Sequence, residues 1–236
     1  MRSVAQRAFI AEWRPRLFGF ALRAVLLALV LPWVLILPLN IIDPPTTAMM
    51  LRRAVQRSAA DQSPTYPRRD AIARDRISPY LRRAVLAAED DRFYLHWGFD
   101  LIQINKALEA RAQGGRLRGA STITQQVAKN LFLWEGRSFV RKGLEAYLTI
   151  VLEICLSKER ILDLYLNLAE WGDGVFGAEE ASRHHFGVSA ADLGPDQAAR
   201  LAAILPSPRR WQPHGQWATY RAVMILGAME RPAPRP

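Results

Sequence analysis

Three stretches of the chain bring together side chains able to move protons or hold anions. In AAEDDRFYLHWGFD (87–100), helical spacing sets Glu89, Phe93 and His96 at i, i+4 and i+7, on one face. A carboxylate beside an aromatic ring and an imidazole loses part of its hydration, which raises its pKa towards the range where it accepts and releases protons. Asp90 is turned about 100° away on such a helix, so the two acids are not a symmetrical pair. The same spacing describes an ordinary acidic helix face paired with Arg, and spacing alone favours that plainer reading. In GASTITQQVAKN (119–130), small residues lead into a helix start crowded with Ser121, Thr122, Thr124, Gln125 and Gln126. Hydroxyls, amides and free backbone N–H groups there suit anions and sugar hydroxyls. Lys129, one turn past Gln125 and next to Asn130, is placed to reach a phosphate. A capped surface helix with a polar first turn is the plainer alternative. In RSFVRKGLEAYLTIVLE (137–153), Arg141 and Lys142 precede Glu145 by four and three residues. They make either a helical salt bridge worth about 0.2–0.5 kcal/mol, or a second carboxylate held among cations beside a pyrophosphate, with Arg137 adding charge at the helix start. Together, two carboxylates, a polar anion-binding turn and several cations point to sugar-diphosphate chemistry.

The elements that must position these groups read as helices. Ser78-Pro79 is an N-cap followed by proline at the first helical position, and the helix is expected to continue through YLRRAVLAAEDDRFYLH until Gly98 stops it. A second helix is expected from about Asp100 to Arg111. QGGRLRGA (113–120) reads as a basic loop, after which Ser121 caps a third helix through about Trp134. Ser138 caps a long fourth helix through Cys155 and Leu156, and KERILDLYLNLAE gives a fifth with Ile161, Leu164, Tyr165 and Leu168 on one face. GPDQAARLAAIL and WATYRAVMILGAME give two more. No alternating strand pattern stands out, so the fold class is mostly α.

The chain of 236 residues suits one sizeable domain plus an anchor. Half of its residues are hydrophobic, which excludes general disorder. Residues 24–42, AVLLALVLPWVLILPLNII, carry no charge. As a helix they span about 28 Å, close to a bilayer's hydrocarbon thickness. Arg2, Arg7, Arg14, Arg16 and Arg23 against Glu12 mark the preceding end (1–23) as cytoplasmic. A juxtamembrane segment and linker (43–64) follow, then a globular domain over 65–230. Within the segment, TTAMMLRRAVQRSAA reads as a short basic helix that either lies on lipid or merely extends the anchor. The net charge of +10 fits a nucleic acid, an anionic membrane or a phosphate-bearing substrate. The single cysteine, Cys155, excludes an intrachain disulfide, and the four histidines lack the spacing of a zinc site.

EDDRFYLHWGFD, GASTITQQVAKN, RKGLEAYLTIVLE, RILDLYLNLAEWGDGVFGAEEAS and RLAAILPSPRRWQP stand in the order and spacing of the five motifs of the peptidoglycan glycosyltransferases, glycosyltransferase family 51. The chain thus resembles that family over about residues 65–215, and most of all its monofunctional members from Gram-negative bacteria. The resemblance implies a mostly helical, lysozyme-like glycosyltransferase domain behind one N-terminal transmembrane helix. It implies lipid II and a growing glycan chain as substrates, at the inner membrane with the catalytic domain periplasmic, in cell wall biogenesis and cell shape. By the same resemblance Glu89 is the catalytic base that deprotonates the acceptor's 4-hydroxyl, and the anomeric carbon is inverted. Glu145 assists at the diphosphate, with a divalent cation, Mg2+ or Mn2+, as an expected companion and no organic cofactor. Lys129, Arg137 and Arg141 match positions at the diphosphate, and Asn130 is a further substrate-binding position. Ser121, Thr122, Gln125 and Gln126 match the polar wall of the cleft, and Asp90, Phe93 and His96 match positions that shape it. No transpeptidase domain is expected, which leaves cross-linking to divisome or transpeptidase partners. A lysozyme-like glycan-cleaving enzyme is the rival reading; it would use Glu89 as an acid and need no cationic cluster. A nucleic-acid-binding protein is disfavoured by the domain's expected side of the membrane, and a scaffold would have no use for Glu89.

Overall fold

The computed structural model describes residues 19–20, 22–24, 26–59, 68–115, 120–136 and 138–231. Arg137 and residues 116–119 of the basic 113–120 loop lie outside the described residues. An apolar helix, α1 (Leu22–Asn40), is the one described helix long and apolar enough to cross a membrane. It is followed by α2 (Ala48–Ala59), a two-residue strand β1 (Arg68–Arg69) and α3 (Pro79–Glu89). Then come α4 (Leu101–Ala112), α5 (Ile123–Phe132), α6 (Phe139–Cys155) and α7 (Lys158–Leu168). Strands β2 (Glu170–Gly172) and β3 (Val175–Phe176) precede α8 (Ala178–Phe186), α9 (Pro195–Ile204) and α10 (Gln216–Met229). The architecture is mostly α, as the sequence predicts.

Two groups of helices share the core. α3, α9 and α10 pack together, and α5 packs against α2, α6 and α7. Small alanines on α9 (Ala198, Ala199, Ala202, Ala203), all fully buried, let its neighbours approach closely. In the second group Ile123, Val127, Leu152, Leu164 and Tyr165 fill the space between α5, α6 and α7. Ser78 caps α3 as expected; its hydroxyl accepts from Tyr80 N and donates to Leu193 O at 2.7 Å, tying α3 to the loop before α9.

Four local expectations give way to tertiary contacts. The helix expected to reach Gly98 stops at Glu89, because Asp90 leaves helical geometry (φ −163°, ψ 76°) to serve another element. Gly98 lies in the following loop at φ +74°, where a Cβ would sit 2.5 Å from Thr149 Cγ2 on α6. The cap of α5 is Thr122 rather than Ser121, in a capping box with Gln125. A small sheet in the order β1-β3-β2 is also present, with β1 parallel and β2 antiparallel to β3. Its strands are two or three residues long, too short to show alternation. The sequence reading also passed over α8, whose start is Gly177 at φ +83° without a side-chain cap.

The end of α1 belongs to the core: Ile36 and Leu39 are buried. Trp33 Nε1 donates to Tyr147 Oη on α6 at 3.0 Å, and that hydroxyl donates to Leu29 O. Asn40 donates to Cys155 O at 2.9 Å, while Arg160 holds Leu39 O and Asp43. These bonds account for a tryptophan in mid-span. In α2, Met49 and Met50 are core residues, whereas Leu51 and Val55 face outward. Arg53, 5% exposed, forks onto both oxygens of Glu170 at 3.0–3.1 Å and reaches Glu135 at 2.9 Å. Removing one partner of a buried pair strands the other charge, at about 3–5 kcal/mol. Arg53→Ala should therefore lower the melting temperature of the detergent-solubilised protein by several degrees, an effect that equilibrium unfolding would size.

Candidate active site

Glu89 ends α3 with its side chain 12% exposed, where the helix's unpaired carbonyls make a negative environment. Two groups reach its carboxylate. Gln126 Nε2, on the second turn of α5, donates to Oε2 at 3.0 Å. Arg221, from α10, lies 3.4 Å from Oε1. Behind Gln126, the Tyr165 hydroxyl donates to its Oε1 at 3.2 Å, which fixes the amide so that its N–H groups face the acid. Burial pushes the Glu89 pKa above the usual carboxylate range, opposed by the Gln126 hydrogen bond, by Arg221 and by Lys129. Tyr165, fully buried with Glu89 nearby, is driven well above the ordinary phenol range and stays a neutral donor.

The neighbours of Glu89 divide into scaffold and lining. Asp90 is scaffold. Its Oδ2 accepts from Ile123 N at 3.0 Å, one of the free N–H groups opening α5, and its Oδ1 lies 2.9 Å from His96 Nε2. Phe93 is buried under this turn, edge-on to His96, with Lys158 Nζ 4.4 Å above its ring. Thr122 donates to Gly98 O at 2.6 Å, and Gln125 is spent on the capping box. Phe93, His96 and Gln125 therefore hold the wall in place from behind, and they share no helix face with Glu89. Asp100 caps α4 and pairs with Arg92. Ser121 is exposed; with Glu89, Asp91 and Gln103 it lines a cavity of about 280 Å³.

A second cavity of about 600 Å³ opens beyond Gln126, lined by Lys129, Asn130, Tyr165, Arg209 and Arg210 among others. Lys129 is largely buried, which lowers its pKa, while Glu145 pulls it back up. It is also among the cations that act on Glu89, so Lys129 stands in the field of both carboxylates. Glu145 is 3% exposed, with Oε2 on Arg141 NH1 at 2.6 Å and Oε1 on Lys142 Nζ. Arg141 is braced further by Gly136 O at 2.8 Å. The helical ion pairs expected at this helix start are present, and Lys129 lies in the field of Glu145 and Arg141. Sequence reading missed Arg221 and Tyr165, which sit in elements recognised only as amphipathic helices; no local pattern marks either.

Asp90 links the turn after Glu89 to the start of α5. Asp90→Ala leaves a buried N–H and the imidazole unpaired, at about 1–3 kcal/mol each. The expected result is a clear loss of thermal stability, with the scaffold rather than the chemistry failing first; a melting curve equal to the wild type's would refute this role.

Residues 56–230 match the family model described as Transglycosylase. The biosynthetic peptidoglycan transglycosylase of Pseudomonas putida (strain W619) is 53% identical over 195 residues, covering 83% of this chain and 79% of its own length. The protein of the same name from Ectopseudomonas mendocina (strain ymp) is 50% identical, covering 83% and 77%. That from Pseudomonas savastanoi pv. phaseolicola (strain 1448A / Race 6) is 51% identical, covering 83% and 79%. A match over this much of the chain, at this identity, around a buried glutamate flanked by cations, means that the chain belongs to the transglycosylase family and is a glycosyltransferase.

Proposed function

We propose that this enzyme polymerises lipid II into peptidoglycan glycan strands at the outer face of the bacterial inner membrane, with Glu89 as general base. The observation that carries the reading is the company Glu89 keeps. A glutamate acting as an acid, as in a glycan-cleaving enzyme, gains from a neutral or anionic setting. Here Arg221 and Lys129 supply positive charge and Gln126 donates a hydrogen bond, all of which favour the carboxylate. The names of the relatives support peptidoglycan as the product. The single apolar helix and its arginine-rich leading end support an inner-membrane anchor with the catalytic domain on the periplasmic side.

In the reaction, Glu89 takes the proton of the acceptor sugar's 4-hydroxyl. That oxygen attacks the donor's anomeric carbon from the face opposite the diphosphate, forming the glycosidic bond with inversion. The carbon–oxygen bond to undecaprenyl diphosphate breaks, and the leaving diphosphate carries one more negative charge than it did in the donor, which must be met. Lys129 and Arg141 are the described cations for this, and Arg137 is proposed as a third. Glu145 works through them: with each oxygen on a cation, it keeps Arg141 and Lys142 aligned. Ser121 lines the smaller cavity on the acceptor side, and Asn130 the larger one on the donor side.

A divalent ion does not fit Glu145 as arranged, since neither oxygen is free and two cations already face it. Asp90, His96 and Asp100 lie close enough to share an ion, but Asp90 is committed to Ile123 N and His96, and Asp100 to Arg92 and the start of α4. Protein partners of the divisome, or a transpeptidase to cross-link the strands, are the expected company of such a polymerase.

Labelled lipid II incubated with the purified protein should yield polymer, and preformed glycan should stay intact; shortening without polymerisation would sink the proposal. Glu89→Gln should remove at least about 10²-fold of the rate without lowering the melting temperature. The sign follows from linkage. A group whose pKa is raised in the folded state stabilises only below its unfolded value and costs stability once ionised, so its neutral isostere relieves that cost. For the same reason the acid limb of kcat/KM should lie above the ~4.3 of a free glutamate, activity being lost as pH falls through it. Lys129→Met should cost about 10²–10³ in kcat, with Lys129→Arg recovering part of it.

A further inference from the structure

Arg221 lies 132 positions after Glu89. Its guanidinium closes a three-way joint. NH1 donates to Ala203 O in the last turn of α9 at 3.1 Å. NH2 donates to Ala88 O in the last turn of α3 at 3.2 Å and lies 3.4 Å from Glu89 Oε1. Carbonyls at helix C-termini lack partners within the helix and carry the negative end of the dipole. Two such ends converge beside Glu89, so burial and the local field both favour the protonated acid, the form that is useless as a base. We propose that Arg221 is a positioning residue for Glu89, neutralising the two helix ends and holding the carboxylate charged and aimed across the cleft at the acceptor hydroxyl. A forked, permanently charged donor suits this joint, because one group must serve two carbonyls and a carboxylate at once. Without it, burial and the two helix ends would press the carboxyl further towards its protonated form.

The other groups facing Glu89 set the baseline. α5 contributes Gln126 and Lys129, and α7 contributes the neutral Tyr165. The turn after α3 contributes Asp90 and Asp91, and Asp100 opens α4. Asp90 and Asp100 are each held by partners of their own, so Arg221 and Lys129 are the cations that oppose the helix ends.

The inference rests on Glu89 being the base. It is tested by polymerisation of labelled lipid II by the full-length, detergent-solubilised protein, with kcat and KM measured across pH. For Arg221→Gln the acid limb should move up by about one pH unit, a tenfold loss on the limb, with the alkaline plateau kept within about threefold of wild type. Arg221→Lys keeps the charge but loses the fork. Its limb should stay in place while kcat falls severalfold at unchanged KM, and this variant decides the matter if Arg221→Gln does not fold. A uniform loss at every pH that tracks a fall in melting temperature would show a purely structural joint and overturn the proposal, as would Arg221→Lys with wild-type kcat. Glu89→Gln runs alongside. If it still polymerises, the assignment of the base has failed; if it is dead while the Arg221→Gln profile matches wild type, only Arg221 has been misjudged.

Discussion

A carboxylate buried at the C-terminal end of a helix is an unfavourable object, and the way this protein sustains one organises much of the rest. Glu89 loses hydration and faces unpaired carbonyls. What offsets this comes from elsewhere in the chain: Gln126 on α5 and Arg221 on α10. These belong to the two helix groups of the core. The contacts that keep the acid usable therefore also bridge the groups, and the cleft lies where the groups meet.

The bridging requires that the start of α5 be fixed relative to the end of α3. Asp90 does this by leaving its helix and accepting from the first turn of α5. The loop that follows is closed by Thr122 on Gly98 O and by the fit of Gly98 against Thr149. Phe93 and His96 fill the space beneath. Residues that a motif reading groups with the catalytic acid thus have separate roles. Glu89 faces the cleft, and its neighbours build the wall that presents Gln126 and Lys129 to it.

The apolar helix α1 is tied in by the same economy of shared residues. Its last turns contribute Ile36 and Leu39 to the core, and Trp33 and Asn40 bind α6, the helix that carries Glu145 and Arg141. Under the proposed function, the helix that enters the lipid and the helix that meets the lipid-linked diphosphate are held as one piece. The cations would then stand at a set depth beside the bilayer, where the substrate's diphosphate lies.

Much of this protein is legible along the chain. The apolar run, the cap at Ser78 and the 3.6-residue periodicity of α5 to α7 and α9 are local properties, so the helices follow from the sequence, although Ser138 begins α6 without a side-chain cap bond. The order of the motifs marked Glu89, Gln126, Lys129 and Glu145. Tertiary structure decided the rest. It ended α3 at Glu89, because the hydrogen bond that Asp90 accepts from a distant helix start outweighs continued helix. It assembled a sheet from strands too short to announce themselves, and moved the cap of α5 by one residue. It also brought Arg221 to the base. α10 is apolar nearly all round, so its sequence does not show what its arginine meets; that depends on how α3, α9 and α10 pack, and packing is a property of the whole core.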